Sequence, residues 1–166
     1  LLAKQRYEKK ATTRVQILTL NAASEAVDHD VEVLEGASQD WMIDYRDLKR
    51  MTEEETAKNR TILDRIGLLK RFVILKQNGK RVAAGIAVVE SGWVGLFGIV
   101  SDPEKRRLGL GRRLTGALSE VGRQAGASTA YLQVEAHNSP ALRFYASMGF
   151  QDVYSYWYRE KNTHAL

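Results

Sequence analysis

The residues with the clearest chemical potential lie between Pro103 and Leu114, in the run PEKRRLGLGRRL. Apolar residues precede it from Trp93 to Val100 in the manner of a buried strand. Behind it Leu110, Leu114, Ala117, Leu118, Val121 and Ala125 recur at helical spacing. The run is therefore a strand-to-helix turn. The first backbone N–H groups of a helix lack intrahelical acceptors and face outward at the positive end of the helix dipole. Gly109 and Gly111 let a ligand approach that backbone closely, while Arg106, Arg107, Arg112 and Arg113 supply positive charge. The chemistry to expect is capture of a phosphate or pyrophosphate. Two other glycine-rich nucleotide motifs do not fit, because no Gly-Lys-[Ser/Thr] follows the glycines and G-x-G-x-x-G is absent.

The flanking segments must position this turn. Arg71–Leu75 and Arg81–Val89 read as strands joined across Asn78-Gly79, a strong hairpin signal, and a second turn at Glu90–Gly92 leads into Trp93–Val100. Three antiparallel strands thus deliver the chain to the arginines. Upstream, Ser38 caps a helix carrying Trp41, Met42, Tyr45 and Leu48. Thr52 with Glu55 forms a capping-box pattern opening a second helix with Ala57, Ile62, Leu63 and Ile66 on one face. Downstream, the long helix ends near Gly126, a C-terminal left-handed position. Ala130–Glu135 follows as a strand, Ser139 with Pro140 opens a helix over Ala141–Met148, and Phe150–Tyr158 is an aromatic last strand. Near the start, residues 1–12 read as a solvated basic arm or helix end, Arg14–Leu20 as a strand, Asn21–Asp30 as a loop and Val31–Leu34 as a short strand.

Composition bounds the function classes. The 166 residues suit one domain with room for an extra arm, and 44% hydrophobic and 27% charged residues are ordinary for a globular protein. With no cysteine there is no disulfide framework, thiolate nucleophile or zinc–cysteine site. His29, His137 and His164 are not at metal-ligand spacing, so no metal is expected. There is no apolar run for a membrane span and no secretory signal, so a cytoplasmic protein without membrane partners is expected. A net charge of +5, concentrated at one turn without interleaved aromatics, fits a focused anion site better than a nucleic-acid track. The chain starts at Leu rather than Met, as a piece of a longer gene product would.

Taken together the segments resemble the GNAT superfamily of acyl-CoA-dependent N-acetyltransferases, over about Val31 to Arg159. The family signature Q/R-x-x-G-x-G/A is met by Arg106-Arg107-Leu108-Gly109-Leu110-Gly111. Asp102-Pro103 precedes it, and Leu132-Gln133-Val134, Asn138-x-x-Ala141-x-x-x-Tyr145 and Gly149-Phe150 follow in family order. The resemblance implies an α/β (α+β) fold whose mixed, mostly antiparallel sheet is flanked by about four helices and splayed between its fourth and fifth strands. It implies acetyl-CoA as acyl-donor co-substrate, with backbone groups of Ile99, Val100 and Ser101 on the pantetheine and N–H groups from Arg107 to Arg112 on the pyrophosphate. Asn138, Ala141 and Phe144 would border the same carrier, and Tyr145 would protonate the departing thiolate.

Aminolysis of a thioester needs a neutral amine, a polarised carbonyl and a proton for sulfur, and a phenol with an ordinary pKa near 10 suits the last task. Glu135, Glu90 and Asp102 are candidate bases near strand ends, and Trp41 and Tyr45 are candidates for the acceptor pocket. Each residue also has a structural reading. Asn138 fits as a helix cap, Tyr145, Trp41, Tyr45 and Trp93 as core aromatics, and the glutamates as solvated strand ends. The expected reaction is acetyl transfer to a primary amine of a small molecule or peptide. A non-catalytic acyl-CoA-binding regulatory domain is the alternative.

The organisation to expect is an N-terminal arm with one strand over 1–30, an acetyltransferase domain over 31–160 and a tail over 161–166. Many members of the superfamily carry one more C-terminal strand than this chain has room for. That position is vacant, shared with a partner in a homodimer, or filled by Arg14–Leu20, and residues 1–20 could equally be the remnant of a preceding tandem domain.

Overall fold

Two left-handed dipeptides fold the middle of the chain into a meander. Asn78 and Gly79 have φ of 53° and 72°, and Ser91 and Gly92 have φ of 49° and 81°, the paired positive values that a two-residue hairpin turn matched to strand twist requires. In the computed structural model, which describes residues 7–21 and 28–161, these turns join β3 (Leu69–Gln77), β4 (Lys80–Glu90) and β5 (Trp93–Ser101). All pairings in this run are antiparallel, and β2 (Val31–Leu34) adds to β3, giving the order β2-β3-β4-β5. With β1 (Tyr7–Thr19), β6 (Thr129–Glu135) and β7 (Gln151–Lys161) the described residues hold seven strands. They also hold four α-helices, α1 (Gln39–Lys49), α2 (Glu53–Arg65), α3 (Leu110–Gln124) and α4 (Ser139–Ser147).

The contacts divide the described chain into two compact units, one over Thr19–Ala130 and one comprising the residues up to Leu18 and those from Tyr131 onward. In the first, α3 crosses β3, β4 and β5. Its seat is close because two glycines remove side chains at the contact. A Cβ on Gly122 would collide with Val94 and stand 2.7 Å from its Cγ2, and one on Gly85 would stand 2.8 Å from Leu118 Cδ1. α1 packs on β4 and β5, burying Trp41, Met42 and Tyr45 with Phe72, Ile74, Ile86 and Val88. Ser38 Oγ accepts from Trp41 N–H, and Thr52 and Glu55 close the capping box in both directions.

In the second unit β1 lies between β6 and β7. The strand position left open in the sequence is thus filled by β1, antiparallel to β7 from Tyr7↔Lys161 to Ile17↔Gln151. A bulge between Lys10 and Thr13 places Ala11 at φ 45°.

Four expectations change. Residues 7–12 are strand rather than solvated arm, since pairing with β7 holds a segment that has no apolar alternation; residues 1–6 lie outside the described residues, as do 22–27 of the expected loop. Ala57 and Ile62 on α2 are exposed, and the helix seats through Leu63. Trp93 is 44% exposed, because it opens β5 beside the Ser91-Gly92 turn. α4 is capped by Asn138 rather than Ser139.

Candidate functional site

The turn after β5 is built by local hydrogen bonds. Asp102 N–H donates to Val82 C=O at 2.8 Å, its carboxylate caps by accepting from Glu104 N–H at 3.0 Å, and its carbonyl accepts from Lys105 N–H at 3.0 Å, closing one 3₁₀ turn over Pro103–Lys105. The backbone then passes through left-handed Arg107 (φ 62°) and Gly109 (φ 74°) into α3. The space beside Gly109 Cα is open, so its glycine answers to the backbone conformation rather than to crowding. The first helical bond runs from Arg113 N–H to Gly109 C=O at 3.1 Å, leaving the Leu110 and Gly111 amides ahead of it.

This N-terminus differs from the others. Ser38, Thr52 and Asn138 each lend a side-chain oxygen to the first turn of α1, α2 and α4. α3 begins at a glycine, has no side-chain cap and carries no acidic residue in its first turn. Arg106, Arg107 and Leu108 are exposed around it, as is Arg112 in its first turn, while Leu110 is buried and anchors the turn. The local field is positive and directed outward. Arg113 is the correction to the sequence reading. Its guanidinium is turned away onto Asp28, at 2.7 and 2.8 Å, and Asp30, at 2.6 Å. The hydrogen bond from Arg113 holds the Asp28 carboxyl below the usual carboxylate range. Arg113 thus fastens the start of β2 to α3 and contributes little net charge to the turn.

Ile99, Val100 and Ser101 lead straight into this turn and are half-buried. They lie just beyond an irregularity in the ladder, where Ile86 faces Phe97 but Ala84 faces Val100, so β5 carries an extra residue. Gly98 sits in that bulge at φ 59°, and the hydroxyl of Tyr45 occupies the place of its missing side chain. Trp41 and Tyr45 stack at 4.6 Å, Trp41 meets Phe72 edge-on at 4.8 Å, and both α1 rings are essentially inaccessible. These two rings, candidates for the acceptor pocket, stand as the wall behind the bulge. Sequence reasoning missed Gly98; a glycine inside an apolar strand was its available signal. Glu90 pairs with Trp93 at the opposite end of β5, about 13 Å of strand from the bulge. The structure does not bring Glu90 to the turn.

In the other unit, Asn138 Oδ1 accepts from Ala141 N–H at 3.2 Å and so acts as the cap. Tyr145 lies against Phe144 at 4.9 Å and edge-on to Phe150 at 5.7 Å. Its burial raises the phenol above its ordinary pKa, which keeps it a proton donor through neutral pH. Glu135, at the exposed end of β6, meets His137 Nε2 at 3.1 Å, an exposed pair that sequence reasoning left as separate residues. Tyr156 O–H on β7 reaches Gln133 Oε1 on β6 at 3.2 Å, across the intervening β1. Among the described residues, no group of three or more His, Asp or Glu gathers as a metal site, and no helix is long and apolar enough to cross a membrane.

Known proteins match the chain along most of its length. A family model described as "Probable histone acetyltransferase Rv0428c C-terminal" matches residues 1–159. The [ribosomal protein bS18]-alanine N-acetyltransferase of Escherichia coli K12 is 40% identical over 79 residues, which is 48% of this chain and 53% of that protein. The crystal structure of the Escherichia coli ribosomal-protein-S18-alanine N-acetyltransferase superposes with a TM-score of 0.60 at 27% identity, covering 75% of this chain and 79% of that one. A GNAT-family protein from Novosphingobium aromaticivorans shares the fold at TM-score 0.69 and 18% identity, over 95% of this chain and 69% of its own. The chain spans about half the length of the curated relatives it matches.

Proposed function

Because the chain belongs to the Rv0428c C-terminal acetyltransferase family, within the GNAT superfamily, we propose that it transfers an acetyl group from acetyl-CoA to a primary amine. The observation that carries this reading is the arginine-flanked start of α3, which no side chain among the described residues caps. Residues there fit a diphosphate. The amides of Leu110 and Gly111 face it, Gly109 gives it backbone access, and Arg106, Arg107 and Arg112 balance its charge. Ile99, Val100 and Ser101, on a strand whose ladder is broken by the bulge, offer backbone groups to the pantetheine amides and the thioester carbonyl.

In the reaction the acceptor nitrogen forms a bond to the acetyl carbon, the carbon–sulfur bond breaks, and the Tyr145 phenol gives its proton to the departing sulfur. The raised pKa of Tyr145 matches that role, since the group must hold its proton until the thiolate appears. Glu135 takes the proton released by the amine, directly or through water, and its pairing with His137 offers that proton a second carrier. Asn138 keeps a second lone pair on its capping oxygen, and its amide N–H₂ remains a donor for the carrier chain. The acceptor class is a protein or peptide amine, a reading supported by the relative named for acetylating an alanine of ribosomal protein bS18.

The test is thermal and chemical. Acetyl-CoA at a hundred times its dissociation constant stabilises the native state by about 2.7 kcal/mol, a rise in Tm of roughly 5–10 °C at this size. Thiol release should then appear with peptides bearing a free N-terminal amine and vanish with N-acetylated ones. A Tm unmoved at millimolar acetyl-CoA would remove the reading. A shift without release for any amine would leave only a binding domain.

A further inference from the structure

Strand β7 carries three tyrosines at alternate positions, and its register turns all three to one side of the sheet. Tyr154 stands opposite Val15, Tyr156 opposite Thr13 and Tyr158 opposite Lys10 on β1. The bulge of β7 falls at Val153, between the pairs Val15↔Tyr154 and Gln16↔Asp152. It sends Asp152 to the other face, where Arg14 and Gln16 hold it, and leaves the tyrosine alternation intact. β6 runs antiparallel to β1, because Ala136 N–H donates to Thr12 C=O and Leu20 N–H to Ser128 C=O, both at 2.8 Å. That register sets Glu135 opposite Thr13 and Gln133 opposite Val15. Glu135, which takes the amine proton in the reaction above, therefore shares a face with the three tyrosines.

The face is aromatic and bounded by acids. Tyr156 reaches across β1 to Gln133, and Thr13 and Val15 beneath that bridge are buried. Tyr154 and Tyr158, on either side of it along β7, are each 58% exposed, and Tyr158 meets Tyr156 edge-on at 5.7 Å. Glu160 stands opposite Glu8, and Lys10 is paired with Glu8 at 3.5 Å. On this side the three strands thus set Glu8, Glu135 and Glu160 against one ammonium, Lys10. Rings bounded by carboxylates hold a lysine or arginine, the rings through their negative faces and the acids through charge. The opposite face of β7 shows this chemistry within the chain, with Lys9 Nζ 4.2 Å from the centroid of Trp157.

Resting on the acetyl-transfer reading above, with Glu135 at the amine, we propose that this face receives the acceptor peptide and that Tyr154 and Tyr158 select a lysine or arginine at its fourth or fifth residue. β6 and β7 stand two strand spacings apart, about 9.6 Å with β1 between them. An extended peptide advances about 3.3 Å per residue. A chain whose first nitrogen is at Glu135 brings its fourth residue over Tyr156 and its fourth or fifth to the flanking rings. A neutral side chain there gains nothing from the negative ring faces, and an acidic one meets Glu160. The occupant is a cationic peptide rather than a lone amine, which ends before it reaches β7.

The test is a set of peptides with a free N-terminal alanine that differ only at residues 4 and 5, where they carry two lysines, two serines or two glutamates. At saturating acetyl-CoA the lysine peptide should show a KM about ten-fold below the serine peptide, and the glutamate peptide a KM above both. Tyr154→Ser with Tyr158→Ser should reduce the lysine preference to two-fold or less. Tyr154→Phe with Tyr158→Phe, which keeps the rings, should retain it, as should Trp157→Leu on the opposite face. Equal KM for the lysine and serine peptides, or a preference that survives the double serine variant, would overturn the proposal. Peptides already N-acetylated separate this result from a failure of the reaction, since they bind without reacting. The lysine form should bind about ten-fold more tightly than the serine form and shift the backbone amides of Tyr154–Tyr158 in ¹⁵N spectra. Absence of thiol release with that binding intact would refute the reaction and keep the cationic-peptide face. Equal binding of the two forms would overturn the face.

Discussion

Replacing Gly98 by alanine tests how β5 is shaped for its task. The residue sits at φ 59°, a region costing an L-amino acid about 1–2 kcal/mol. The added methyl would also be driven into the Tyr45 hydroxyl, with the ring Cζ at 3.1 Å. Tyr45 cannot retreat freely, since it is stacked on Trp41 at 4.6 Å in a buried position. Overpacking of this kind costs about 1–3 kcal/mol. Gly98→Ala should thus destabilise by about 2–5 kcal/mol, and at the middle of that range the Tm falls by roughly 7–14 °C.

The two contributions separate in a cycle with Tyr45→Phe, which removes the colliding oxygen and leaves the backbone strain. Urea unfolding of the four proteins should show Gly98→Ala costing at least about 1 kcal/mol less when Tyr45→Phe is already present. A cost that is the same in both backgrounds would refute the claim that the hydroxyl occupies the space of the missing side chain. A cost near zero in either would refute the left-handed bulge itself.

Further outcomes follow from other parts of the molecule. Arg106→Glu should raise the acetyl-CoA dissociation constant about ten-fold or more, the loss expected for a charged hydrogen bond, whereas Arg113→Gln, acting on a side chain committed to Asp28 and Asp30, should leave it near the starting value in the same titration. Tyr145→Phe should lower kcat by about 10²–10⁴ with little change in acetyl-CoA affinity, and because burial raises the phenol's pKa, any alkaline limb due to it should lie above its ordinary value near 10 and disappear in the variant. Asp28, whose folded pKa is depressed chiefly by Arg113, stabilises the fold above its unfolded pKa and loses that contribution as pH falls through the depressed value. Acid unfolding of Asp28→Asn should therefore be less steep over that window than that of the parent.

The meander was legible because its turns are written in two dipeptides, and the turn before α3 because glycine and arginine have few reasons to cluster there. The capping residues of α1 and α2 were equally local signals. What the sequence concealed depends on long-range partners. Arg113 reads as a fourth cation of the anion site, and only the fold brings it to Asp28, 85 positions away. Tyr7–Ala11 reads as solvated because its side chains carry no alternation, yet the backbone ladder to β7 holds it as strand. Trp41 and Tyr45 illustrate a third case. Their amphipathic spacing predicts burial, which they show, but the hydroxyl of Tyr45 filling the Gly98 bulge is a relation between α1 and β5 that no local pattern encodes.

The account turns on whether the start of α3 receives the diphosphate of the acyl carrier, and a titration of the ¹⁵N-labelled chain with acetyl-CoA measures this directly. The backbone amides from Leu108 to Arg112 should show the largest shifts and saturate with the same constant as the gain in thermal stability. Amides of that turn left unmoved while others saturate would contradict it.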